Sequence, residues 1–414
     1  KHIGRENGCI VNSFNNTTAT QNAVNWAEVL GDVTIAGGNN LIDFRDTLNS
    51  TVVRSLTFNS LTRAGGGTTF QLGGDGSAAT TIGTGTQYRV FNSALNGGGN
   101  VPFVGGWAYY NTEFMKYNDA ALGGNGYTSL AAGDYAIDQA VGTWAAGQNI
   151  KISTTSPVVA AGATTIQSLN MQNGTGRTLT GAAGATLVVD SGGIITSGGT
   201  HTIAVPFLTA GAGSNYELYD IAWSTNIISS VIADNAGNAV SLVKAGGGTT
   251  SLFGANTYTG TTYINEGMLR DVIGANHVGL GSGNLTFGGS PTNQGVYETD
   301  RDFTRALGTG AGQVQLIGGV GAGFSAFGAP ININFGGAGA TVAWGSSTFN
   351  PGIFTLNGGN ATHVATLVNN LDLGGEQRYI RLDGSASGTN RAVIGAISGD
   401  ISNGSIVKRG GGIL

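Results

Sequence analysis

Glu298, Asp300 and Asp302, interleaved with Arg301 and followed by Arg305, form the best constellation in the chain for acid–base chemistry. Alternate positions on a strand share one face. Carboxylates gathered there beside a basic residue, often around Ca²⁺, are what polysaccharide cleavage on a β-helix needs. A solvated strand edge neutralised by its arginines has the same spelling, and the sequence favours that reading. His2, His201, His277 and His363 stand at no metal-ligand spacing from one another and have no cysteine partner. Gly73-Gly74-Asp75-Gly76 looks like a calcium-binding glycine repeat but does not recur nine residues on, so it reads as a turn. No G-x-S-x-G elbow stands between a strand and a helix. The expectation is a protein that is not an enzyme and carries no cofactor and no metal.

Two other sets of residues offer contact chemistry. Trp107, Tyr109, Tyr110, Phe114, Tyr117, Tyr127, Tyr135 and Trp144 concentrate the aromatics. Filling an irregular core is the commoner use of such rings, with a self-association surface next; an exposed row would bind sugar faces, with Trp107, Tyr109 and Tyr110 as the glycan or interface residues. Cys9 is the only cysteine, so an intrachain disulfide is excluded, and it is either a buried bystander or half of an intermolecular bridge.

The elements that position these residues are strands. The 414 residues include 74 glycines, against an average usage of about 7%, and only 10% are charged, against about 25% in ordinary domains. At 40% hydrophobic residues and 6 prolines the chain can bury a core, unlike a disordered segment. Glycine without a collagen triplet implies many corners at positive φ, and Thr, Val, Ile and Asn between them suit pleated surfaces. The net charge of −5, with no basic stripe, excludes nucleic acid and anionic membrane surfaces as expected partners. No run of 18 apolar residues exists, so no membrane-inserting helix is expected. The polar start at Lys1 suits a mature or trimmed product.

Repetition is the strongest signal. SLTRAGGGTT at 60–69 and SLVKAGGGTT at 241–250 agree at eight of ten positions, and SIVKRGGG returns at 405–412. Met171, Leu179, Leu187, Ile195 and Ile203 fall eight residues apart with glycines between, each unit a short strand and a turn. Three such units give a coil of about 24 residues, and roughly 17 coils stacked at about 4.8 Å would make a rod of order 80 Å. A hairpin meander is the other layout. The fold expected is therefore all-β, an elongated glycine-rich β-solenoid, in hand a right-handed β-helix. Its parts are a short non-repetitive N-terminal cap or assembly segment (1–32), a first solenoid region (33–240) with an aromatic-rich insertion (105–144), and a second region (241–414). Thr20 could cap one short helical turn through Val24, Ala27 and Leu30, closed by Gly31.

Residues 242–269, LVKAGGGTTSLFGANTYTGTTYINEGML, with the core GANTYTGTT at 254–262 followed by Asn265, Gly267 and Leu269, resemble the autotransporter-associated (passenger-associated) β-strand repeat. FTRALGTGAGQVQL (303–316), GFSAFGAPININFGG (323–337), LDLGGEQRYIRLDG (371–384) and GGWAYYNTEFMKYNDA (105–120) are similar to stretches in large surface proteins of planctomycete and verrucomicrobial type. The resemblance implies an exported β-helical passenger at the cell surface, with adhesive or structural roles. The chain departs from that plan in showing no set of ten-residue amphipathic strands for an outer-membrane barrel. In the motif, Asn256 and Asn265 are expected to bond neighbouring backbone, and Tyr258, Ile264 and Leu269 to face inward.

The function expected is an extracellular structural rod that assembles with copies of itself into a fibre, stalk or coat. Cys9 and the corner Gly410-Gly411-Gly412, which reaches Leu414 where the copy at 246 runs on into a strand, are the assembly residues. Strand addition by a neighbour's N-terminal segment would then make deletion of residues 1–20 abolish polymers. A glycan-binding adhesin is the alternative, and a polysaccharide-cleaving enzyme a more distant third.

Overall fold

The computed structural model describes residues 26–42, 54–73, 88–95, 98–120, 124, 126–271, 279–289, 294–318, 321–337, 339–383 and 394–414. Among them regular structure is strand, with three-residue 3-10 turns such as Ala132–Asp134 and Ala212–Ser214 and no α-helix. Nearly all pairings are parallel and join each strand to one on the next coil, the arrangement of a β-solenoid.

From Ala136 onward the coil has three sides. One is a ten-stranded sheet running from Ala136–Ile137 to Phe349–Pro351, and the second a twelve-stranded sheet that starts at Val158–Val159 and includes Asn370–Arg381. The third side holds two four-stranded sheets, one beginning at Gly162–Ile166 and the other at Phe303–Thr304. The eight-residue interval is the length of one side: Met171, Leu179 and Leu187 lie on three different sheets, and Leu179 pairs with Ile203 one turn later. The period is elastic, since Leu187 pairs with Leu208 and Leu285 with Val314. Ile195 departs from the series. It faces outward, while Ile194 takes the inner position in the main core.

The interior is a continuous apolar column from Ala136 to Leu382. Over its later coils Phe287, Tyr297, Phe303, Phe324, Phe335, Phe349, Trp344 and Phe354 stack ring against ring, as in the 4.6 Å approach of Phe303 to Phe324. Tilted and edge-on contacts of this kind add about 0.5–1.5 kcal/mol per pair beyond area burial.

The described residues between 26 and 130 form a second, shorter stack. Trp26–Leu30, Val33–Ala36 and Asn39–Ile42 pair in parallel with Arg54–Phe58, Leu61–Ala64 and Thr69–Leu72, three sides against three sides. The antiparallel strands Ala108–Tyr110, Glu113–Asn118 and Gly126–Ser129 close this lobe over its own core of Leu56, Phe58, Phe70, Val90, Tyr117 and Tyr127. Two expectations are corrected here. Trp26–Leu30 is a strand, not the end of a helical turn, because Arg54–Phe58 offers it a full row of backbone partners while an isolated turn of that length is marginal; Thr20 and Val24 lie outside the described residues. The sheets also run without a break through Glu217–Ala222, Ser241–Ala245 and Thr262–Ile264, so packing does not change at 240/241. It changes between Leu130 and Ala136, and the chain makes two stacks side by side, not one rod of about 17 coils.

The GGG corners explain how the recurring words fold. The first glycine of each triplet, Gly65, Gly246 and Gly410, has φ of +78°, +71° and +78°, a left-handed turn closing one strand. A Cβ at Gly246 would also fall 2.6 Å from the Ala222 carbonyl oxygen of the adjacent coil. Gly246→Ala is expected to cost about 2 kcal/mol or more in urea denaturation, from the left-handed penalty plus that clash.

Candidate functional site

The structure disperses the carboxylates that sequence spacing groups. Glu298 lies on Gly295–Thr299 and is fully buried, accepting from Arg270 Nε at 2.5 Å and Ser325 Oγ at 3.1 Å. Burial pushes its carboxyl up, opposed by the Arg270 charge. Asp300 and Asp302 follow the end of that strand: Asp300 lies 3.5 Å from Arg301 Nε, and Asp302 accepts from Asn332 N at 2.7 Å. The three share no face, because the strand stops at Thr299 and the chain turns. Each is fitted to a different neighbour.

His201 is buried, with Nε2 2.8 Å from the Ser197 carbonyl oxygen and Nδ1 accepting from Arg177 N at 3.2 Å; burial lowers its pKa. His363 Nδ1 lies 2.9 Å from Thr362 Oγ1. His2 and His277 lie outside the described residues, as does Asp75. Among the described residues no three His, Cys, Asp or Glu side chains group as metal ligands would.

The aromatic concentration forms no exposed row. Tyr109, Phe114, Tyr117, Tyr127, Tyr135 and Trp144 are buried, and Trp107 and Tyr110 half-buried. Tyr109 packs edge-on to Trp223 and donates from its hydroxyl to Asn39 Oδ1 at 3.1 Å. Tyr117 and Tyr127 pack at 5.0 Å inside the first lobe, and burial raises the Tyr127 phenol to about 12. Tyr109 is buried at the seam between the lobes, and Trp107 and Tyr110 pack half-buried against the core of the short lobe, so core filling describes these rings better than an exposed row does. Cys9 lies outside the described residues. The Gly410 corner stacks on the preceding coil through Gly412 N to Leu382 O at 3.0 Å, and Leu414 is exposed.

Sequence reading missed two clusters. The first is Lys244, fully buried, whose Nζ donates to the carbonyls of Ala245, Gly246 and Glu266 at 2.7, 2.6 and 3.1 Å. Lys408 repeats the contact, donating to Gly410 O at 2.7 Å. The lysine before the glycine triplet thus ties down the corner, and its recurrence at 244 and 408 was the available signal. Asp220, on the adjoining strand in register with Lys244, is also fully buried and accepts from Asn226 Nδ2 at 2.8 Å.

The second cluster joins the lobes. Arg63 stands at the Lys244 position of its own repeat, yet it points out of its lobe. Arg63 Nη1 donates to Glu217 Oε2 at 2.8 Å, and its guanidinium lies 5.7 Å from the Tyr219 ring and 5.8 Å from Trp107. Gly67 N and Tyr219 Oη donate to the same carboxylate. Asn39 Nδ2 donates to Glu266 Oε2, and Asn265 Nδ2 to Gly67 O, each at 2.7 Å. Asn265 therefore reaches across lobes, whereas Asn256 bonds the coils on either side of it, Ile232 N and Gly279 O, at 3.0 Å each. Tyr258, Ile264 and Leu269 face the core.

Residues 242–270 match the family described as Passenger-associated-transport-repeat. Over 349 residues the chain is 29% identical to the "Adhesin BmaC autotransporter" of Brucella suis biovar 1 (strain 1330), an alignment covering 75% of this chain and 10% of that protein. The chain spans about a tenth of that relative's length. No solved structure matches it. The matched residues supply two successive strands to each of two sheets of the long solenoid, Ser241–Ala245 and Thr262–Ile264 in the ten-stranded one and Thr249–Leu252 and Gly267–Asp271 in the twelve-stranded one.

Proposed function

We propose that this chain is a segment of an exported, surface-displayed passenger whose role is adhesion, without enzymatic activity. The observation that carries the reading is the 349-residue similarity to an adhesin autotransporter, which extends far beyond the single matched repeat. The dispersal of Glu298, Asp300 and Asp302 agrees with it, since Glu298 is buried against Arg270 while Asp300 and Asp302 meet different neighbours. Display on a bacterial surface by fusion to a signal peptide and an outer-membrane barrel is expected to leave the chain accessible to added protease and to confer saturable attachment to cultured cells. Absence of attachment by correctly displayed protein would reject the reading. Asp300→Asn is expected to leave polysaccharide unaffected, as the parent does.

Assembly of copies into a fibre, stalk or coat is the second reading. The low charge density and the exposed Val158, Phe207 and Phe253 favour it. Sedimentation of purified protein as concentration-dependent polymers is expected on that reading, and a monomer at all concentrations would exclude it.

A further inference from the structure

The outward face of the ten-stranded sheet repeats its side chains from coil to coil, Tyr263 pairing with Thr286 and Thr286 with Gln315. The short lobe covers this face over the earlier coils and leaves a step where its glycine corners at 36–38 and 65–66 come down on the sheet. At the step lies a groove of about 380 Å³, bordered by those corners and by Thr261, Tyr263, Asn284, Thr286, Thr309 and Gln315. That volume falls in the range of small-molecule clefts, about 300–1,000 Å³. We propose that this groove binds a neutral saccharide, which names a ligand class for the adhesin reading above and rests on it.

The chemistry of the lining selects that class. No bordering residue carries a charge, so an anionic or cationic ligand would be desolvated with no partner. The polar groups are amides and hydroxyls already held in place. Gln315 Nε2 donates to Asn284 Oδ1 at 3.1 Å, Thr286 Oγ1 donates to the same oxygen at 2.8 Å, and Asn284 Nδ2 is anchored on Gly308 O and Gly310 O at 3.0 and 2.8 Å. An array fixed before the ligand arrives saves ordering entropy on binding. Tyr263 adds a rigid ring held against Gly67, where a Cβ would fall 2.3 Å from it. An aromatic plate beside fixed amides and hydroxyls suits a sugar's apolar face and its hydroxyl rim. A groove set on strands and braced by a second lobe is also rigid, as a preformed site requires.

The test applies the full chain to an array of neutral, sialylated and sulfated oligosaccharides, then titrates the strongest neutral oligosaccharide calorimetrically into the parent, Gln315→Ala and Thr309→Trp. Thr309 is exposed on the rim, so its tryptophan fills the groove without disturbing the amide array. Binding confined to neutral sugars, weakened at least tenfold in both variants with unchanged circular dichroism, is the expected result. A silent array, signals only from acidic glycans or from peptides offered in parallel, or affinity unchanged from the parent in either variant would overturn the assignment. Cell attachment by the displayed chain with a silent array sinks the groove and spares the adhesin reading; sugar binding without attachment does the reverse.

Discussion

Lys244→Met is expected to lower the stability of the long solenoid by about 3 kcal/mol in urea denaturation. Methionine fills nearly the same volume, so the loss isolates the three hydrogen bonds that Nζ donates to Ala245, Gly246 and Glu266 carbonyls. An ammonium has three protons for three acceptors, which is the geometry seen. The substitution also removes the charge facing Asp220, whose carboxyl burial already pushes up. The pH dependence has a definite sign. Burial lowers the Lys244 pKa to about 8, against an unfolded value near 10.5. A folded-state pKa below the unfolded one means the unfolded chain binds more protons between the two, so this group's contribution to stability rises as pH climbs above about 8. The parent should therefore gain stability from pH 7.5 to 9.5 and Lys244→Met should lose that slope. A variant within 0.5 kcal/mol of the parent (roughly the scatter of surface substitutions), with the slope intact, would refute the role given to the lysine.

Glu217→Ala is expected to detach the short lobe from the long one. The carboxylate accepts hydrogen bonds from Arg63, Gly67 and Tyr219, and the Arg63 and Glu217 side chains are only 21% and 6% exposed. Truncation strips the buried Gly67 N–H of its acceptor and leaves the Arg63 guanidinium with the Tyr219 hydroxyl but no countercharge, a loss of about 2–4 kcal/mol. Burial works against the Arg63 charge, but Tyr219 and Glu217 outweigh it and hold its pKa raised. Hydrogen exchange should speed up in 61–70 and 217–221 while the core strands of the long solenoid keep their protection. A double cycle with Arg63→Ala should show a coupling of at least about 1.5 kcal/mol. Additive effects would mean that other contacts, such as Asn39 with Glu266, hold the seam.

The coil was legible because strand and corner are local. Eight-residue spacing marks one side, the glycine triplets mark left-handed turns, and Tyr258, Ile264 and Leu269 take the inward places their motif predicts. What the sequence hid is long-range. Ile195 keeps the period but faces outward, because Ile194 beside it is equally apolar and a second lobe waits to cover the outer face. Arg63 and Lys244 are written alike, yet one leaves its lobe to meet a carboxylate 154 positions away while the other turns inward. The aromatic run read first as core, with a self-association surface and a sugar platform behind it, and where its rings pack was hidden because composition does not say what covers them. The groove drew no notice for a related reason: Asn284, Thr286 and Gln315 are ordinary strand residues until coils a turn apart align them.

The central claim is a long stack of parallel coils, and a distance along the stack tests it most directly. Val158 and Gln377 are both exposed and lie on strands nine steps apart in the twelve-stranded sheet. At about 4.8 Å per step along the stack, with Gln377 offset about eight residues along the strand from the position in register with Val158, their backbones should be roughly 50 Å apart. Spin labels at Val158→Cys and Gln377→Cys, in a Cys9→Ser background, should give an electron–electron distance distribution centred near that value. A dominant distance below about 30 Å would mean that the strands fold back on one another, and would contradict the stack.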